Sequence, residues 1–335
     1  MNLPTVPAND PAPFASLEPD LILAAVESTG LRCDGRLQGL NSYENRVYQV
    51  GIDDAPPLIA KFYRPARWSD AAILEEHAYA LELDRAEVPL VPPNVDAAGV
   101  TLHAHGGYRF SLSVRRGGRA PELDRAEVLP WIGRFMARLH VVGATASFAH
   151  REVVDIANFG QASMTWLLAE GVVPPDLEPA YCSVAEQALE AAAACFDRAG
   201  PVAAIRLHGD CHAGNILWTD AGPHFVDLDD CRTGPAVQDL WMLLSGDRSQ
   251  RAEQFESVLQ GYELFRRFDR AELHLIEPLR TLRLMHYTAW LARRWSDPAF
   301  PASFPWFDSP RYWQDHILAL REQISLMQEP PIAVI

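Results

Sequence analysis

Hydrophobic positions change their period part-way along the chain. In the first third they alternate in short runs, 37–41, 46–50 and 58–63, separated by turns rich in Asn, Glu and Asp. Such alternation predicts half-buried strands of an antiparallel meander. A helix at 19–28, stopped by Gly30, precedes them, and Ser69 is placed to cap a second helix over 70–84 through Ile73, Leu74 and Leu81. Pro89, Pro92 and Pro93 then break the chain before a second hairpin, 101–103 with 108–114, and 115–118 reads as a hinge. Beyond it the period is helical at 125–142, 161–170, 181–198, 236–245, 251–266, 271–295 and 311–327, interrupted by short strands at 205–207, 216–218 and 224–228. The expected fold is α+β and bilobal. A small antiparallel β-rich N-lobe with one main helix occupies 16–117, and a larger, mostly α-helical C-lobe occupies 118–335. Residues 1–15, with Pro4, Pro7, Pro11 and Pro13, read as a flexible leader.

Composition narrows the class. At 335 residues and 48% apolar content the chain can bury a large core. No run approaches the roughly 18 apolar residues of a membrane helix, and the N-terminus lacks a basic start followed by an apolar stretch, so a cytoplasmic protein without a membrane partner is expected. Five cysteines without CxxC spacing predict reduced thiols rather than a disulfide framework or a zinc site. A net charge of −15 repels phosphate backbones, which argues against nucleic acid as a partner. Lys61 is the only lysine, every other basic residue being arginine. A chain that uses Arg wherever a solvated positive charge suffices keeps a Lys where a compact ammonium is required.

The chemistry concentrates in Arg206-Leu-His-Gly-Asp-Cys-His-Ala-Gly-Asn-Ile-Leu-Trp218, followed by His224-Phe-Val-Asp-Leu-Asp-Asp230. Phosphoryl transfer needs a carboxylate to take or orient the acceptor hydroxyl, and oxygen ligands to hold Mg²⁺ on the β- and γ-phosphates of ATP. Asp210 is the candidate base. Asn215 offers a neutral amide oxygen to magnesium, Asp227 a carboxylate, and Asp229 assistance through water. Singly, each is as well explained as a turn residue. Together, in this order between apolar runs, they form a motif. Lys61, on the third strand, is expected to reach the α- and β-phosphates, with Glu75 or Glu76 holding its stem and Glu76 preferred. The loop 41–45 lies where a phosphate-covering loop belongs but has no GxGxxG. Ser42 and Tyr43 offer hydroxyls there, as an ordinary hairpin turn would. His208 is read as a structural hydrogen-bonder, and Cys211 and Cys231 as packing. His212 stays open between facing the γ-phosphate and a solvated imidazole.

With these residues in hand, the chain resembles the aminoglycoside phosphotransferase and choline kinase superfamily of protein-kinase-like enzymes, on His208-Gly-Asp210, Asn215 and the later Asp227. It is similar in particular to bacterial serine/threonine protein kinases of that superfamily, on the segments 40–49, 61–65, 206–218, 234–244, 290–300 and 328–331. The resemblance implies a protein-kinase-like fold and cytoplasmic phosphorylation of Ser/Thr on proteins, the chain itself included, in stress protection. It also implies Asp210 as proton acceptor, Asn215 and Asp227 as magnesium ligands, Ser42 at the ATP site, and Asp239 as a brace of the catalytic loop. The stretch between Asp227 and Asp239 is too short for a long activation loop and no Ala-Pro-Glu follows, which puts switching by loop phosphorylation in doubt.

The leading expectation is an ATP- and Mg²⁺-dependent serine/threonine protein kinase, working as a monomer on protein substrates. A small-molecule kinase acting on an amino alcohol or aminoglycoside is the alternative. The acidic composition suits a cationic substrate, and Trp290, Trp295, Phe304, Trp306 and Trp313 offer an aromatic cage, although core packing is the commoner use of such spacing. A pseudokinase scaffold is the third reading, against which Lys61, Asp210, Asn215 and Asp227 all weigh.

Overall fold

The computed structural model describes residues 12–334, so most of the expected leader, 1–11, lies outside the described residues. Along the chain run α1 (Pro19–Glu27), β1 (Cys33–Leu40), β2 (Arg46–Ile52), β3 (Ala55–Phe62), α2 (Asp70–Arg85), β4 (His103–His105), β5 (Tyr108–Val114), α3 (Val128–Gly143), α4 (Ala162–Ala169), α5 (Glu178–Ala199) and β6 (Ile205–Arg206). These are followed by β7 (Ile216–Thr219), β8 (Gly222–Phe225), β9 (Thr233–Gly234), α6 (Val237–Trp241), α7 (Arg248–Tyr262), α8 (Ile276–Arg293), α9 (Ala299–Ser303) and α10 (Pro310–Gln328). Among the described residues no helix is long and apolar enough to cross a membrane. The five cysteines are free.

By its internal contacts the chain divides into two compact units. The first holds residues up to 120 together with 216–229 and 296–299. Its sheet is antiparallel throughout, in the order β1-β2-β3-β5-β4. Pro56 and Pro57 are tolerated in β3 because they precede Leu58, where pairing with β5 begins, and sit in an irregularity of the β2 register. The β4–β5 hairpin turns through Gly106 and Gly107, both in the left-handed region that a two-residue turn of this hand demands. Val50, Ile52, Ala60, Phe62, Phe110 and Leu112 bury one face of the sheet against Ile22, Ala25 and Val26 of α1, and the rings of Phe62 and Phe110 stack 5.3 Å apart. Burying each large apolar side chain contributes about 1.5–3 kcal/mol. The Ser69 hydroxyl accepts from Ala72 N, as expected, and starts α2. That helix is tied to the sheet by a buried polar chain in which the Tyr63 hydroxyl meets His77 Nε2 at 2.7 Å and Ser111 at 3.0 Å, while His77 Nδ1 meets Thr101 at 2.8 Å.

The second unit, 121–215, 230–295 and 300–334, is mainly helical. Along α5 the buried positions Tyr181, Val184, Ala185, Ala188, Leu189, Ala192 and Cys195 follow the helical period. They face α10, whose Trp313 meets Tyr181 edge-on at 5.6 Å.

Several boundaries differ from the sequence reading. β1 begins at Cys33, four residues early, because Gly35 carries a bulge that alternation does not announce. The expected helix 236–245 stops at Trp241. The expected strand 224–228 ends at Phe225, since Asp227 takes φ +61°, outside any strand conformation, and the chain tightens into a turn at Leu228–Asp230.

Candidate functional site

The candidate residues fall into two clusters, one in each unit. In the first, strand β3 sets Lys61 in register with Val47 and Ser111. Its side chain is 17% exposed, and its ammonium stands 3.0 Å from Asp227 Oδ1, 3.1 Å from Asp229 Oδ1 and 3.7 Å from Glu76 Oε1. Burial alone would drive the proton off; the three carboxylates outweigh it and hold Lys61 charged to well above the ordinary lysine range. Glu76, on the inward face of α2, is the acid that meets Lys61, whereas Glu75 is only half-buried.

The carboxylates are not equivalent. Glu76 and Asp229 are buried, while Asp227 is 53% exposed. Asp227 is also the one in the left-handed backbone region, a placement costing on the order of 1–2 kcal/mol that turns its carboxylate out of the strand. The strand before it is pinned, for Phe225 N donates to Pro89 O at 2.7 Å and Val91 N donates to Phe225 O at 3.2 Å. Asp229, read from sequence as acting through water, is instead the shared partner of Lys61 and Arg67.

From Asp229 the ion pairs continue into the loop 41–45. Arg67 stands 3.8 Å from Glu44 and Arg64 3.7 Å. Arg64 also pairs with the buried Asp297 at 2.8 Å, and Arg46 lies 3.9 Å from the same carboxylate while donating to Tyr43 O and Asn45 O. Ser42 accepts from Val47 N at 3.2 Å, which folds the loop back on the strand it leads into. A loop without the usual glycines is thus fixed by charges and hydroxyls.

In the second unit, β6 and β9 pair, and Leu207 N donates to Arg232 O at 2.8 Å, fixing the entry to the 208–215 loop. Asp239, fully buried, accepts from His208 N and from Gly209 N, both at 2.8 Å, and meets His140 Nε2 at 3.1 Å. Burial holds His140 below the usual histidine range against the pull of Asp239, so the imidazole donates as a neutral group, with the Tyr262 hydroxyl at its other nitrogen. Gly209 has φ +85°, and a Cβ there would collide with Asp230 O. We expect Gly209→Ala to destabilise the protein by about 1–3 kcal/mol from backbone strain, before any cost of the clash, read as a lower urea midpoint.

Asp239 itself rides on a helix held by a buried acid. Glu272 accepts from Val237 N at 2.7 Å, and burial, helped by nearby Asp269, pushes its carboxyl up to about 7 despite the hydrogen bond from Val237. A folded value above the unfolded 4.5 makes this group's contribution largest below pH 4.5 and lost as pH rises through 7. Glu272→Gln is therefore expected to flatten the decline of unfolding free energy across that window. An unchanged slope in denaturant titrations from pH 4.5 to 7 would refute the assignment.

Asp210 is 20% exposed, and Arg283 Nη2 lies 2.6 Å from its Oδ1, an ion pair without a well-aligned hydrogen bond. His212 Nε2 lies 3.5 Å from Oδ2, and Asn215 Nδ2 donates to Asp210 O at 3.0 Å and to Oδ2 at 3.3 Å. Burial opposes ionisation; the hydrogen bond from His212 and the charge of Arg283 outweigh it, keeping the carboxyl below its ordinary range and ionised at neutral pH. Gly214 N donates to His212 Nδ1, which leaves the proton on Nε2, facing Asp210. With its nitrogen committed to Asp210, Asn215 has its amide oxygen for a cation. Cys211 is buried against Met136 and its thiol is pushed well up by burial, and Cys231 is buried too, so both pack.

The donor set suits ATP with a divalent cation. Asp227 and Asn215 each carry a hard oxygen of the kind Mg²⁺ prefers, and three carboxylates around one ammonium leave negative charge to balance. Among the described residues there is no group of three or more His, Cys, Asp or Glu able to hold a metal. Most of the aromatic residues pack on one another, Trp306 alone of the five being well exposed. Trp290 is packed by Tyr287, Phe300 and Phe304, Trp295 by Phe307, and Trp313 is buried.

The sequence reading contained Lys61, Glu76, Asp210, Asn215, Asp227 and Ser42 but missed Arg283, Arg67 and Asp297. Arg283 is one of several arginines on α8 and belongs to no motif. Asp229 was named from its motif, but its pairing with Lys61 and Arg67 was not.

Residues 36–276 match the phosphotransferase enzyme family. The chain is 44% identical over 319 residues to stress response kinase A of Salmonella choleraesuis strain SC-B67, covering 95% of this chain and 96% of that protein. The same identity and coverage hold for the serine/threonine protein kinase RdoA of Salmonella typhimurium strain LT2. Among solved structures, an amicoumacin kinase in complex with AMP-PNP, Ca²⁺ and Ami superposes with a TM-score of 0.71 at 18% identity, over 94% of this chain and 95% of that one. This likeness shows the α+β, bilobal, protein-kinase-like fold expected from the sequence.

Proposed function

Because the chain belongs to the phosphotransferase enzyme family, and is thus an ATP-dependent kinase, we propose that it is a Mg²⁺-using serine/threonine protein kinase that phosphorylates proteins, itself included, in the bacterial cytoplasm under stress. The observation that carries the choice of substrate is the 44% identity over nearly the full length of relatives named as stress response or serine/threonine protein kinases. The solved small-molecule kinases agree in fold at only 18% identity.

In this reading each side chain has one task. Asp210, held ionised by Arg283 and His212, accepts the proton of the attacking hydroxyl. Its orientation is kept by Asn215 on one side and, through the backbone of His208 and Gly209, by Asp239 on the other. Asn215 and Asp227 would each offer an oxygen to Mg²⁺, which, when bound, would neutralise charge on the β- and γ-phosphates. Lys61, fixed by Glu76 and Asp229, presents its ammonium to the α- and β-phosphates, and Ser42 belongs to the ATP-binding loop.

The test is incubation with radiolabelled ATP, a generic protein substrate and a panel of amino alcohols and aminoglycosides, followed by phosphoamino-acid analysis. Phosphoserine or phosphothreonine on protein is expected. Label confined to small molecules would replace this reading with the small-molecule kinase, and no label anywhere would leave a scaffold.

A further inference from the structure

The residue that receives the acceptor hydroxyl has a cation standing on it. Arg283 uses Nη2 to reach Asp210, but a guanidinium carries five N–H donors in a planar fork, and its side chain is 35% exposed. The other arginines at this end of the fold are committed elsewhere. Arg280 pairs with Glu277 and covers Trp241, Arg232 is held by Asp230 and Glu152, Arg293 lies over Trp166, and Arg294 over Trp290. Arg283 thus directs an incompletely used fork to the place where an acceptor must approach.

A fixed guanidinium is the wrong neighbour for a cationic acceptor, which it would repel, and the right one for a carboxylate, which it can bind through two parallel N–H groups. We propose that Arg283 is a specificity-determining residue that binds a carboxylate next to the acceptor hydroxyl, so that the preferred substrate is a serine or threonine flanked by Asp or Glu. This rests on the protein-kinase reading above and names its substrate class.

The experiment uses the full chain and matched peptides that differ only in the residues flanking one serine: Asp/Glu, Gln or Lys. The wild type is expected to favour the acidic peptide over the lysine one by on the order of tenfold in kcat/KM, mainly through KM, and to lose part of that preference in high salt. Arg283→Gln should bring the ratio close to one with the KM for ATP unchanged, and Arg283→Lys should keep part of it. A wild-type enzyme that labels all three peptides equally, or prefers the basic one, overturns the proposal without any variant. So does an Arg283→Gln enzyme that slows equally on every peptide with the preference intact, since Arg283 would then serve Asp210 alone. Labelling of small molecules and of no peptide would sink the protein-kinase reading as well, an outcome distinct from labelling without charge preference.

Discussion

Asp210→Ala is expected to lose about 10²–10⁴ in turnover, the usual worth of a positioned general base, while keeping its fold. The side chain makes few contacts that the loop depends on. Asn215 donates to the Asp210 carbonyl, which the substitution retains, and the loop is braced from behind by the two hydrogen bonds that His208 N and Gly209 N donate to Asp239. Arg283 loses its partner but is exposed enough for water to replace it. Asp210→Asn, which preserves shape and removes the negative charge, should lose nearly as much. Single-turnover transfer from labelled ATP reads the effect, with a melting curve as control. Turnover within about tenfold of the wild type in both variants, the protein still folded, would mean that some other group takes the proton.

Lys61→Arg should also impair transfer severely, and here the fold is the informative control. A guanidinium still offsets Glu76, Asp227 and Asp229, so the melting temperature should change little. What is lost is a compact ammonium able to serve carboxylates and a phosphate at once, since a planar fork reaching two carboxylates has little left to offer the nucleotide. Lys61→Met should do both kinds of damage. It leaves Glu76 and Asp229 buried without the ammonium they share, a change that costs about 3–5 kcal/mol when one partner of a buried pair is removed. Because the folded lysine is held above its unfolded value, its contribution is fully present below about pH 10.5 and fades only as pH climbs past the folded value, so the deficit of Lys61→Met should stay constant across the neutral range. A Lys61→Arg enzyme with full activity would show that lysine survives at this position for no chemical reason.

These two residues were legible because local pattern and chemistry coincided. Lys61 stood alone in composition and on an alternating strand, and Asp210 sat in a polar loop between apolar runs with Asn215 behind it. The helix over 70–84 was readable from its Ser69 cap and apolar spacing, which in turn put Glu76 on the right face. What escaped was set by distance along the chain or by backbone geometry. Asp297 meets Arg64 across 233 positions, and nothing in the sequence around either names the other. The end of β8 depends on the left-handed backbone of Asp227, which aspartate tolerates without requiring. Arg283 looked like any other helical arginine, and only the approach of α8 to the 208–215 loop gives it a role.

The small β-rich unit is assembled from three separate stretches of chain, the last of them residues 296–299. On the ribosome its five strands emerge early, yet the hairpin that carries Asp227 follows about a hundred residues later, and the carboxylate that quiets Arg46 and Arg64 later still. The nascent small unit therefore waits with the charges of Arg46 and Arg64 unbalanced until residue 297 has been made, and the loop 41–45 sets only after that carboxylate arrives.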